Sequence, residues 1–150
     1  MCHNALPVRG TLLRRGCQID SQCLLCQDDI ESSDHLFSKC SQTTKVWDLA
    51  KIHKWIPLQS DKLQASDWLS SFETLNRSCN KKILQRISFL VWSIWKMRNA
   101  IIFQRDLFQP LKCLIRAKKL SAEWSIRTCM SVDDFQGSFF TSTHKLHFIR

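Results

Sequence analysis

The run Cys23-x2-Cys26-x8-His35-x4-Cys40 gathers three thiols and an imidazole inside residues 23–40. Two cysteines separated by two residues can close on one metal ion as a tight knuckle. One imidazole and a third thiolate then complete the tetrahedron that Zn²⁺ accepts from sulfur and nitrogen. Four protein ligands leave no position for water. The chemistry expected of Cys23, Cys26, His35 and Cys40 is therefore one structural Zn²⁺ rather than hydrolysis. Within the spacer, Asp28-Asp29 suits a turn. Ser32 or Ser33 can cap a short helix that carries His35 and turns Leu36 and Phe37 inward.

Other chemistry finds no support. Asp133-Asp134 is an acidic pair, but Ser131 two places before it is not aromatic, and two-metal chemistry needs several converging carboxylates. The pair reads as a solvated turn. Gly-x-Ser-x-Gly, Gly-x4-Gly-Lys and Gly-x-Gly-x2-Gly do not occur, which removes acyl-transfer and nucleotide-loop readings. No catalytic residue is expected. Cys2, Cys17, Cys79, Cys113 and Cys129 lie outside the metal set, and Cys79, Cys113 and Cys129 read as free thiols. The stretch Met1–Pro7 is too polar for a secretory leader, and no apolar run approaches the ~18 residues of a membrane span. The expectation is an intracellular protein, nuclear or cytoplasmic, with no membrane partner. In that reducing setting a Cys-x2-Cys pair binds metal.

The formal charge of +9 is unevenly spread. Residues 1–60 hold seven Lys/Arg and six Asp/Glu. Residues 77–127 hold twelve Lys/Arg against Asp106 and Glu123, a net of +10, so a polyanion belongs with the second half. Lys81, Lys82, Arg86, Lys96, Arg98, Lys112, Arg116, Lys118 and Lys119 are the candidate contacts to the phosphates of RNA or single-stranded DNA. Trp92, Trp95 and Phe103 interleave with them, and an exposed ring could stack on a base. The apolar stripe of the same segment nevertheless assigns Trp92 and Trp95 to the core.

The elements that must position these residues are helices. A content of 44% hydrophobic residues can fill a core, while three Gly and three Pro are too few for a turn-rich β design. After Pro7 a helix is expected, with Leu12 and Leu13 inward and Gly16 as its left-handed stop. Ile19 and residues 22–25 approach the knuckle as a short hairpin. Ser41 is expected to cap a helix that runs through His53 and is ended by Pro57. Residues 58–65 read as a linker, 66–75 as a helix and 76–80 as a turn. The longest helix spans about 81–104, with Ile83, Ile87, Leu90, Ile94 and Ile101 on one stripe. Leu84, Val91, Trp95 and Ile102 widen that stripe. Pro110 opens a last helix to about Thr128, which buries Leu111, Leu114, Ile115, Leu120 and Trp124. The fold class expected is mostly α. A zinc-knuckle module of short helices occupies 1–57, and a helical extension over 58–130 holds a long central and a C-terminal helix. A loose tail follows over 131–150.

Several blocks share a pattern: His3-Asn4-Ala5-Leu6-Pro7-x-Arg9, Leu12-Leu13-Arg14-Arg15-Gly16, Cys23-x2-Cys26, Glu31-Ser32-x2-His35-Leu36-Phe37-x2-Cys40 and Val46-Trp47. Together they resemble the reverse transcriptase zinc-binding domain of plant non-LTR (LINE-type) retroelement polyproteins. A further block, Ile94-Trp95-Lys96-x-Arg98-Asn99-x3-Phe103, is similar to the stretch that follows that domain. The resemblance implies that Cys23, Cys26, His35 and Cys40 are the zinc ligands, and that such a domain holds nucleic acid beside a polymerase. The Trp-containing segment usual just upstream and the polymerase itself do not occur in this sequence, so a retroelement fragment is one expectation. The function expected is non-catalytic, sequence-tolerant binding of RNA or single-stranded DNA. The alternative is a protein–protein module, docking a reverse transcriptase domain, in which zinc only stabilises the fold.

Overall fold

Pro7 and Val8 lead the chain in extended, and the first helix, α1, covers Arg9–Arg14. The computed structural model describes residues 6–57 and 81–140, with side chains described as far as Thr128. The linker, helix and turn expected over 58–80, residues 141–150 of the tail, and Cys2, His3 and Cys79 lie outside the described residues, as does the side chain of Cys129. Val8 gives α1 no side-chain cap. Glu31 caps it from across the fold: its Oε1 accepts from Arg9 N at 2.9 Å, and its carbonyl accepts from Gly10 N at 3.0 Å. That approach needs a glycine, because a Cβ on residue 10 would sit 2.9 Å from the Glu31 carbonyl oxygen. Gly16, at φ 86, ends the helix as expected, with Gly16 N and Cys17 N donating back to Leu13 O and Leu12 O. The inward residues are Val8 and Thr11, while Leu12 is half-buried and Leu13 is exposed. Both leucines were expected inward; the Glu31 contacts instead choose the face that carries Val8 and Thr11.

The expected hairpin before the knuckle is reduced to one antiparallel bridge, Gln22 with Ile30. Glu31 N donates to Ser21 O at 2.9 Å and Cys23 N to Asp29 O at 2.8 Å, which closes the loop between. Gln27, at φ 62, makes the tight reversal inside it. Ser32 then does what was expected of it: its Oγ accepts from His35 N at 3.0 Å and starts the short helical segment. The segment widens into a π-helical turn over His35–Lys39, closed by Cys40 N donating to His35 O at 2.7 Å.

Helix α2 covers Ser41–Ile52. Its cap residue is Cys40 rather than Ser41, and the hydroxyls of Thr43 and Thr44 donate to Cys40 O at 3.1 and 3.0 Å. Thr43, Val46, Trp47 and Ala50 form the buried face, and Trp47 Nε1 donates to Phe37 O at 2.8 Å. The helix stops before Pro57. Lys54 takes the left-handed conformation (φ 51), Lys54 N donates to Lys51 O and Trp55 N to Ala50 O. This is the hydrogen-bond pattern that a glycine usually supplies.

Helix α3 covers Lys81–Gln104, as the periodicity predicts. Its deeply buried residues are Ile87, Leu90, Ser93, Ile94, Met97 and Arg98. Trp92, expected in the core, is 51% exposed. Helix α4 begins at Pro110 and runs to Phe140, beyond the expected end at Thr128, so residues 131–140 are helical rather than a loose tail. It packs on the rest through Cys113, Leu114 and Ala117, whereas Leu111, Ile115 and Trp124 are each more than half exposed. The expectation followed the large apolar residues. Small side chains at 113 and 117 allow close approach, and that contact turns Leu111 and Ile115 to solvent.

Leu36, Val46, Trp47 and Ala50 share one buried cluster with Ile87, Leu90, Ile94, Cys113, Leu114 and Ala117. The core therefore crosses the division expected at residue 57. The architecture is mostly helical, with the Cys-Cys-His-Cys cluster ahead of the long helices, as expected. Among the described residues no helix is long and apolar enough to cross a membrane.

Candidate metal centre

Three short pieces of chain deliver the four ligands. The loop closed by the Gln22–Ile30 bridge carries Cys23 and Cys26, the π-helical turn carries His35, and the α2 cap position carries Cys40. The bond from Cys40 N to His35 O spans five residues instead of four, and this wider turn brings His35 and Cys40 to one side. Cys23 Sγ lies 3.9 Å from Cys40 Sγ, and Cys26 Sγ lies 3.2 Å from His35 Nε2. All four ligand atoms lie within 4.8 Å of one another. Two sulfurs on a tetrahedron with Zn–S bonds of ~2.3 Å stand about 3.8 Å apart, so these residues fit Zn²⁺. Cys23, His35 and Cys40 are buried and Cys26 is half-buried.

Without the ion the three thiols differ: two are held protonated and one is eased toward the thiolate. Cys23 donates its S–H toward Cys40; this bond first, and burial second, pushes the Cys23 thiol well above the usual thiol range. The same bond holds Cys40 below it, assisted by the Thr43 and Gln42 N–H groups at the start of α2. Burial raises Cys26. A metal ion takes the place of the thiol protons, so loading is expected to release protons.

His35 presents Nε2 to the cysteines, and its Nδ1 lies 3.6 Å from Asp29 Oδ2. A carboxylate behind a ligating imidazole fixes its tautomer and ring orientation. From the sequence, Asp29 read only as a turn residue. Its one local signal was a place in the spacer between Cys26 and His35, six residues ahead of the histidine, and the chain reverses at Gln27 shortly before it.

Residues 1–47 match the family model described as zinc-binding in reverse transcriptase. The match contains all four ligands together with Asp29 and Glu31. No curated protein and no solved structure matches the chain. The cofactor is thus zinc, one ion, at a site formed by three cysteines and a histidine.

Glu31 reaches beyond the matched residues. It is fully buried, and its carboxylate pairs with Arg98 of α3, through Arg98 Nη2 to Oε1 and through Arg98 Nε to Oε2 at 3.3 Å. Arg98 is 4% exposed, its Nη1 donates to Asn99 Oδ1 at 3.1 Å, and its guanidinium lies 5.1 Å from the Trp95 ring centroid. Arg98 was expected to meet phosphate. It is instead an internal cation, because the buried Glu31 carboxylate is uncompensated without it. Sequence offers no signal for this pair, whose members are 67 residues apart.

The other expected contacts divide. Arg86 is half-buried, donates through Nη1 to Trp55 O at 2.8 Å and lies over the Trp55 ring, so it holds the end of the α2 segment. Lys81 and Lys82 are exposed at the start of α3. Lys112 is exposed and lies 3.5 Å from Asp106. Lys118 is half-buried. Lys96, Arg116 and Lys119 converge on one groove between α3 and α4.

Proposed function

We propose that the chain is a zinc-built, non-catalytic module that binds RNA or single-stranded DNA with little sequence preference. Four protein ligands give zinc a scaffold role and leave it no water to activate. The observation that carries the binding reading is the basic surface that remains after Arg86 and Arg98 are taken inward. Lys81, Lys96, Lys112 and Lys119 are exposed on α3 and α4, and Arg116 and Lys118 are half-exposed. Across residues 77–127 only Asp106 and Glu123 oppose them. The match over residues 1–47 supports a retroelement origin; the plant non-LTR type rests on the resemblance of the sequence blocks, and the intracellular setting on a Cys-x2-Cys pair kept reduced for metal.

The test is a titration of the zinc-loaded protein against labelled oligouridylate at several salt concentrations. If about five cations contact phosphates, log affinity falls with log salt at a slope of about −3.5. Binding that stays undetectable at low salt, with zinc and helicity intact, removes this reading. It would leave the second one, docking to a reverse transcriptase domain, which the exposure of Leu107, Leu111 and Ile115 supports.

A further inference from the structure

Helix α3 carries Trp92, Lys96, Asn99 and Phe103 at intervals of four, three and four, which places them on one face. Arg116, Lys119 and Glu123 of α4 line the opposite wall, and the groove between has a volume of about 660 Å³. Two aromatic rings there are open to solvent: Trp92 is 51% and Phe103 79% exposed. The charge of the walls is one-sided, with Lys96, Arg116 and Lys119 against the single carboxylate of Glu123. Lys119 Nζ and Glu123 Oε1 stand 4.0 Å apart, at the limit of pairing. Lys96 Nζ lies 5.7 Å from the Trp92 ring centroid, so a phosphate held by Lys96 has its base within reach of that ring.

We infer that this groove is where a single strand lies, with one base stacked on Trp92 and another on Phe103. The inference rests on the nucleic-acid reading above and gives it an address outside the zinc knuckle. Charge selects the occupant, since a mainly cationic wall with exposed rings favours a polyanion that carries flat apolar faces. The alternation along α3 is aromatic, cationic, polar, aromatic, and every base has a face to offer a ring, which fits weak sequence preference. At 1.5 Å per residue, Trp92 and Phe103 are about 16 Å apart along the helix. That span covers about five nucleotides at the stacked spacing of ~3.4 Å.

The experiment titrates zinc-loaded protein with oligouridylate of about ten nucleotides, and in parallel with inorganic polyphosphate, which has charge but no bases. Trp92→Ala is expected to weaken oligouridylate binding about tenfold, Trp92→Phe to retain most of it, and Phe103→Ala to weaken it by a similar factor. Neither alanine variant is expected to alter polyphosphate binding. The double variant Lys96→Ala/Lys119→Ala is expected to weaken both ligands. Both rings are exposed, so zinc content and helicity should match the parent in each aromatic variant. Oligouridylate binding that is unchanged in both Trp92→Ala and Phe103→Ala overturns the groove and leaves the general reading standing. An equal loss for polyphosphate overturns the stacking role. A parent protein that binds neither probe at low salt removes the general reading and the groove together.

Discussion

At the scale of single residues, Asp29 stands behind one of the four ligands of the metal site. His35 offers one ring nitrogen to the cysteines and keeps the other 3.6 Å from the Asp29 carboxylate. Asp29→Ala is expected to lower zinc affinity by about 10–100-fold, with Asp29→Asn falling between, as read by competition against a chromophoric chelator. Cys113 is the contrasting thiol. It is fully buried in the core, and burial pushes its pKa from 9.0 up to about 12, so it stays protonated and inert. The folded chain holds this proton more tightly than the unfolded chain does. Its contribution to stability is therefore whole below pH 9.0 and is lost as pH rises toward about 12. The full loss is about 4 kcal/mol. Urea unfolding at about pH 8 and about pH 10.5 should show a smaller decline for Cys113→Ala than for the parent.

At the scale of elements, helix ends explain more than helix interiors. Cys40 serves at once as a ligand and as the start of α2, so the metal site and the helix are built by the same residue. Lys54, in the left-handed conformation, ends α2 and sends the chain to Trp55, whose carbonyl Arg86 then holds. One close joint lies between α1 and the chain before His35. A methyl group at Gly10 would meet the Glu31 carbonyl oxygen at 2.9 Å and Ile30 Cγ2 at 3.1 Å. The backbone neighbour is anchored, because Glu31 is tied through its backbone to Ser21 and through its side chain to Arg98. Gly10→Ala is expected to cost about 1–3 kcal/mol, measured as a shift in the urea midpoint. An unchanged midpoint would mean that α1 can swing away from Glu31 without loss.

At the scale of the whole molecule, the ion pair of Glu31 and Arg98 welds the zinc-bearing half to the long helices. Glu31 lies between the knuckle bridge and the Ser32 cap, so anything that loosens the metal site loosens the partner of a buried guanidinium. Arg98→Met leaves a buried carboxylate without its cation and is expected to cost about 3–5 kcal/mol. Adding Glu31→Gln should restore much of that, since the amide oxygen can still accept from Arg9 N and no charge remains buried. Circular dichroism and zinc release should report one coincident transition on chelation, because the buried cluster spans both halves. Two separated transitions would show that residues 1–57 fold independently.

The sequence by itself determined the local features of this protein. The ligand spacing, the Ser32 cap, the Gly16 stop and the extent of α3 each depend on residues within a few turns of one another, where residue type and period are sufficient physics. Only the tertiary structure decided which faces those elements bury. Leu111 and Ile115 are as apolar as Leu114, yet α4 packs on Cys113, Leu114 and Ala117 because small residues permit the closer approach. Trp92 belongs to the same helix as the buried Leu90 and Ile94 and still faces solvent. Arg98 is one basic residue among many in residues 77–127, and what takes it inside is a carboxylate far away in the chain. A buried charge is tolerable only where its counter-charge arrives, and that arrival is a property of the fold.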